Sequence, residues 1–175
     1  MIRKILEARN PVLRQKSKTV AKIDKKVLKL IADLKDTLAT QKDPEGVGLA
    51  AVQIGKPLKV FVASYGNFKR VVINPRIINK GKAKSVKKTR QGHEIMEGCL
   101  SLPNYYGPLK RSQSVRISYL NEKSEKVTET FKGFHAQIIL HEIDHLKGVL
   151  FVDGLIKQRE SLYKLKGDEW EEVEI

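Results

Sequence analysis

The chain is poor in cysteine. It has one, Cys99, which excludes an intramolecular disulfide and fits a reducing compartment, so a cytoplasmic location is expected. It has no apolar run near the roughly 20 residues that cross a bilayer as a helix, and no membrane partner is expected. It has no internal repeat. The basic, amphipathic stretch from Met1 to Arg14 is interrupted by Glu7 and lacks the apolar centre of a secretory signal. Acidic residues are outnumbered, 20 against 34 basic ones, giving a net charge of +14. A surplus of this size gathers polyanions, so nucleic-acid or ribosome contact joins plain solubility as a reading of it.

What is present is one domain's worth of foldable chain. At 175 residues and 41% hydrophobic, it can bury roughly 70% of its unfolded surface without a covalent staple. Residues 24 to 40 read as a helix, with Asp24 as N-cap and Val27, Ile31, Leu34 and Leu38 along one face. Pro44 marks the break after it. Leu58 to Ala63 and Arg70 to Ile73 read as strands around a turn at Gly66 and Asn67. Val115 to Leu120 and Lys126 to Phe131 read as a second pair. Residues 80 to 90 carry six basic side chains from Lys80 to Arg90 and no acid, the pattern of a solvated loop or hairpin. Gly133 opens a helix that runs to about Lys147, with Gly148 as its stop. Residues 156 to 166 read as a further helix, followed by a frayed acidic end from Asp168 to Ile175. Strands precede the main helix without regular alternation, which predicts an α+β fold, a single domain with antiparallel or mixed sheets around one central helix. The expected organisation is a catalytic unit over 1–155 and a C-terminal helix and acidic tail over 156–175.

Only four histidines occur, and two of them stand in His141-Glu142-Ile143-Asp144-His145, an H-E-x-x-H pentapeptide. Residues four apart share a helix face, so two imidazoles at that spacing can hold one metal ion. The intervening Glu142 then stands beside the open position, where it can take a proton from water. A catalytic site needs a third protein ligand. The metzincin pattern would place a histidine at 151, which is Phe151. Cys99, in the small-residue segment Glu97-Gly98-Cys99-Leu100-Ser101, and a downstream acid such as Glu160 are the candidates that remain. Gly46-Val47-Gly48-Leu49-Ala50-Ala51-Val52-Gln53 matches a dinucleotide fingerprint only superficially, because no strand leads into it. It reads better as a loop of small residues that lets a substrate backbone approach, with Gln53 offering an amide donor.

These three segments, in this order, resemble the signature motifs of the peptide deformylase family: GVGLAAVQ at 46–53, EGCLS at 97–101 and HEIDH at 141–145. Asn10-Pro11-Val12-Leu13-Arg14 also looks like the family's opening, and the resemblance covers residues 1 to 155. It implies removal of the formyl group from the formyl-methionine of nascent peptides, with release of formate. It implies Cys99, His141 and His145 as ligands of one divalent metal ion, Fe2+ by family habit, with Zn2+ or another divalent ion as alternatives. Glu142 would be general base and then acid. Gln53 and the backbone N–H of Leu100 would face the oxyanion. Gly48 and Gly98 would line the peptide groove, and Val47, Phe134 and Ile138 the methionine pocket. Glu97 and Arg111 would brace the site. Leu140 stands where many members carry Gln. The acidic end differs from the basic C-terminal helix through which some members meet the ribosome.

Two other readings make different predictions. A metalloendopeptidase would take its third ligand downstream of the pentapeptide. A basic RNA- or ribosome-binding module with a structural metal would close the site with a fourth protein ligand, His93 or His135. The expected partners are formyl-methionyl peptides and, from the charge, the ribosome. The expected state is a monomer.

Overall fold

The computed structural model describes residues 1–42, 44–84 and 96–175. Asn10 opens the first ordered turn, Pro11–Arg14, by accepting a hydrogen bond from the Val12 N–H. Helix α1, Lys25–Ala39, begins where the Asp24 carboxylate accepts from the Lys26 and Val27 amides at 2.9 and 3.0 Å, satisfying two of the donors a helix start leaves open. Val27, Ile31, Leu34 and Leu38 are all buried, as the periodicity requires.

Strands β1 (Gly48–Ala50), β2 (Val60–Tyr65) and β3 (Phe68–Lys80) follow, then the short β4 (Ala83–Lys84). Next come β5 (Glu97–Cys99), β6 (Leu102–Gly107), β7 (Arg111–Ser112), β8 (Ser114–Leu120) and β9 (Lys126–Lys132). Helix α2 is Gly133–Leu146 and α3 is Phe151–Gln158, and the chain closes with β10 (Leu162–Lys166) and β11 (Glu169–Val173). One sheet has the order β1-β2-β3-β8-β9, a second β11-β10-β6-β5, and β4 pairs with β7. Every ladder joining these strands is antiparallel. The α+β expectation holds.

The five-stranded sheet is covered on both faces. Side chains alternate along a strand, so Phe61 and Ala63 of β2 enter the core under α2, while Val60 and Val62 enter the core under α1. That is why β2 reads as an unbroken apolar run. Helix α2 is buried nearly all round, with Ile138, Ile139, Leu140, Ile143 and Leu146 in the core together with Glu142 and His145. A helix placed so deep can hold polar groups away from water. It stops at Gly148, whose φ of 74° and contact with the Arg14 carbonyl leave no room for a side chain.

The predicted strands recur with shifted ends. β3 runs well past Ile73 because it also pairs with β8, with a register shift at Asn74 (φ 51°), whose side chain bonds the backbone of Val20. Of the basic segment 80–90, Lys80 and Lys82 are exposed, and residues 85–90 lie outside the described residues, as does His93. The helix expected over 156–166 is not formed. α3 ends at Gln158, Arg159 turns left-handed (φ 58°), and Leu162 to Lys166 is strand. The acidic end is not frayed either: β11 pairs along its whole length with β10, which pairs in turn with β6.

Candidate metal centre

Two elements meet at the site. Strand β5 brings Glu97 and Cys99, and the buried helix α2 brings His141, Glu142 and His145. The ligand atoms of Cys99, His141 and His145 all lie within 4.8 Å of one another, and Cys99 Sγ is 3.2 Å from His145 Nε2. Burial alone would push the Cys99 thiol up, but the facing imidazoles, His145 foremost, outweigh it and hold the thiol well below its usual range. Burial pulls the His141 imidazole down, while Cys99 and Glu97 outweigh that and raise it well above the usual value. A sulfur so inclined to ionise is a good cation ligand.

One ion-pair cluster aligns the pair of elements. Arg111, from β7, donates to both Glu97 oxygens at 2.7 and 2.6 Å and to Asp144 of α2 at 2.7 Å. Glu97 also receives the His141 Nδ1–H at 2.7 Å. That bond turns the other ring nitrogen of His141 toward the cluster, as metal-binding histidines require. Burial pushes the Glu97 carboxyl up, but the Arg111 guanidinium overcomes this and holds it at about 2.

On the other side of the cluster Glu142 is 2% exposed, and its Oε2 has no hydrogen-bond partner among the described residues. Burial raises its carboxyl to about 7, partly opposed by the two imidazoles. A buried carboxyl without a partner is costly, and here it faces a cavity. Gly48 makes room for it, since a Cβ at that position would collide with the Glu142 carboxylate. Gln53 is fixed at both ends of its amide: Oε1 accepts from the Ala50 N–H at 2.8 Å, and Nε2 donates to Ser101 Oγ at 3.1 Å and lies 3.7 Å from Cys99 Sγ.

The cavity has a volume of about 360 Å3. Val47, Gly48, Gly98, Leu100, Phe134 and Ile138 all line it, with Gln53, Glu97, Cys99, His141 and Glu142. The structure brings together the residues that the resemblance implies for the site, with Arg111 and His145 joined to it by their bonds to Glu97 and Cys99. Reasoning from sequence missed Asp144, Ser101, Tyr65 and Tyr106. Asp144, three residues after His141 on the same helix face, was within reach of that reasoning. Tyr65, edge-on to Phe134 at 4.8 Å, gives no local signal. Glu160 is paired with Lys110 at 2.7 Å, and His135 stacks on Phe68 at 4.2 Å, so neither joins the cluster.

Three convergent donors, two from an H-E-x-x-H helix, beside a buried carboxyl and a substrate-sized cavity define a metal-dependent hydrolase. The polypeptide deformylase model matches residues 2–161, and the chain belongs to that family. A peptide deformylase of Pseudothermotoga lettingae is 42% identical over 159 residues, covering 91% of this chain and 86% of the relative. One from Aquifex aeolicus is 42% identical over 161 residues, covering 89% and 88%. The crystal structure of the Thermotoga maritima peptide deformylase superposes with a TM-score of 0.78 at 34% identity, covering 88% of this chain and 97% of that one. The chain is thus a hydrolase that removes the N-formyl group from formyl-methionyl nascent peptides, with the metal dependence of its family.

Proposed function

We propose that Cys99, His141 and His145 hold one divalent metal ion and that Glu142 is the proton-transfer residue of the deformylation. The observation that carries this is the juxtaposition of the three ligand atoms within 4.8 Å with a Glu142 oxygen that is buried and, among the described residues, without a hydrogen-bond partner. Bound there, the ion would supply Lewis acidity and lower the pKa of water toward neutrality. The thiolate suits a borderline-soft ion. Fe2+ is favoured by the family resemblance, while simple affinity ordering favours Zn2+.

Glu142, with its carboxyl at about 7, is matched to accepting a proton from the attacking water and passing it to the departing amine at neutral pH. Gln53 Nε2, already aimed at the Cys99 side of the cavity, and the Leu100 N–H, at the turn between β5 and β6, would meet the negative charge that builds on the formyl oxygen. Gly48 and Gly98 would pair with the peptide backbone, and Val47, Phe134 and Ile138 would enclose the methionine side chain. Glu97, itself held by Arg111, would orient His141 rather than act on the substrate.

The catalytic unit is drawn as residues 1–155, which contain all these residues, with 156–175 as an addition to it. Among the described residues no helix is long and apolar enough to cross a membrane; a cytoplasmic monomer is the proposed state. The net charge of +14 supports ribosome contact, with residues 80–90 as first candidate. Unchanged co-sedimentation with ribosomes at low salt, after those lysines are neutralised, would end that proposal.

The test of the site is anaerobic hydrolysis of formyl-Met-Ala-Ser by the iron-loaded protein and by its Glu142→Gln variant, following free amine and formate. Release by the wild type alone supports both the ligand set and the role of Glu142. Bound metal without release in either protein overturns the assignment.

A further inference from the structure

Strand β3 has two neighbours for only part of its length. It pairs with β2 from Phe68 to Ile73, but with β8 only from Ile73 onward. Toward Phe68 the tips of two hairpins part, β2–β3 on one side and β8–β9 on the other. The end of α1 borders the opening. Together they line a cleft of about 1180 Å3, larger than the catalytic cavity. Its apolar lining comes from all three elements: Leu38 of α1, Val62 and Val71 of the first hairpin, and Val127 of the second. It meets the catalytic cavity only at Glu45 and Gly46, which line both.

The charges around the cleft do not balance. Lys35 pairs with Glu122 at 2.7 Å, and Arg70 pairs with Glu129 at 2.6 Å. These two bonds tie α1 and β3 to the second hairpin and engage both of its lining acids. Lys42, Lys69 and Lys123 also line the cleft, are exposed, and have no ion pair among the described residues. Glu45 is the one lining acid left against them. Lys69 and Lys123 stand on different hairpins, one on each side of the gap.

We propose that this cleft binds an amphipathic carboxylate of the fatty-acid class. The alkyl chain lies against Leu38, Val62, Val71 and Val127, and the carboxylate meets Lys69 and Lys123. A pocket with apolar walls and a few convergent polar groups is the usual form of a small-molecule site. Apolar surface moved out of water supplies the affinity, and the unpaired ammonium groups select the sign of the head group. A short anion such as acetate leaves the walls unused. An uncharged chain leaves the surplus charge unanswered.

The experiment is calorimetric titration of the metal-loaded protein at fixed ionic strength with decanoate, decanol and acetate, each below any micelle-forming concentration. Decanoate should bind one per chain, decanol more weakly, and acetate without measurable heat. The variant Lys69→Gln/Lys123→Gln should weaken decanoate by roughly tenfold. Lys157→Gln, an exposed lysine of α3 away from the cleft, should change nothing. Ala39 is exposed at the end of α1 and lines the cleft, so Ala39→Trp should fill it and abolish binding. Unchanged turnover of formyl-Met-Ala-Ser by each variant shows that its fold is kept. Absence of decanoate binding overturns the site, as does equal binding by Ala39→Trp, which would mean adsorption to the basic surface. Decanol bound as tightly as decanoate overturns the anionic class. Displacement of decanoate by the tighter binding of an acidic peptide, acetyl-Glu-Val-Glu-Val-Glu-amide, overturns it too, in favour of a strand added to the open edge of β3. None of these results touches the deformylase reading, because the titration needs no turnover.

Discussion

Two carboxylates flank the same histidine pair, and they are held in opposite states. Glu97 and Glu142 are both buried, 4% and 2% exposed. Glu97 receives two guanidinium hydrogen bonds and one from His141, and its carboxyl is held at about 2. Glu142 has an oxygen with no partner among the described residues, and its carboxyl is pushed up to about 7. Burial acts on both in the same direction; the difference lies in what each faces. The side of the cluster toward Arg111 is a closed ion-pair network that fixes geometry. The side toward the cavity leaves one carboxylate oxygen without a partner among the described residues, and a carboxyl so placed near neutrality can exchange protons.

The sharpest way to break this contrast is to remove proton exchange while keeping the shape. Glu142→Gln should retain its metal in elemental analysis and lose turnover by at least about 10²-fold, toward 10⁴. Near-normal turnover would mean that Glu142 is merely a buried acid. On the bracing side, Arg111→Met should act on stability first. Removing one partner of a buried network leaves a charge uncompensated and costs about 3–5 kcal/mol. Metal affinity should fall about 10- to 100-fold as His141 loses its oriented partner. Denaturant titration and metal competition read the two effects separately, and a stable, tight-binding variant would place the bracing elsewhere.

How much of this could be read from the sequence depends on distance along the chain. Asp24 capping α1, the apolar face of Val27, Ile31, Leu34 and Leu38, and the His141–His145 spacing are local, and all were legible. The bond from Arg111 to Asp144 joins residues 33 apart, and no periodicity announces it. The tail failed for the same reason. Ile156, Leu162 and Leu165 fit a helical reading, but Arg159 turns left-handed, and β6 offers a strand edge to which β10 pairs. Tertiary pairing overrides such a weak local preference. The segment GVGLAAVQ reads as a loop, whereas Gly48–Ala50 is a strand and Ala51–Ile54 a 3-10 turn; its small residues hide the pairing with β2.

Gln53 stands between the two sides, since one end of its amide is structural and the other faces the cavity. Gln53→Glu keeps the Ala50 acceptor but replaces the donor by a second oxygen. The expected loss is about 10²–10³ in kcat, the size of one oxyanion donor elsewhere, with KM moving less. A loss confined to KM would assign Gln53 to binding rather than to charge stabilisation.

The smallest effect comes from a partly exposed version of the Glu97–Arg111 pair. Glu129 accepts from Arg70 at 2.9 and 2.6 Å and from the Tyr119 hydroxyl at 3.0 Å, and the Arg70 hydrogen bonds hold its carboxyl below the usual value. A depressed folded-state pKa stabilises the fold above the unfolded value, about 4.3 for glutamate, and that contribution is lost as pH falls through the folded value. Solvent near the pair limits it to about 1 kcal/mol or less. Glu129→Gln should therefore be slightly less stable than wild type in urea at pH 7, and the gap should close in acid. A gap that persists unchanged at about pH 3, below the unfolded value, would show that Glu129 acts there by packing rather than by charge, and that burial is not what separates the two guanidinium pairs.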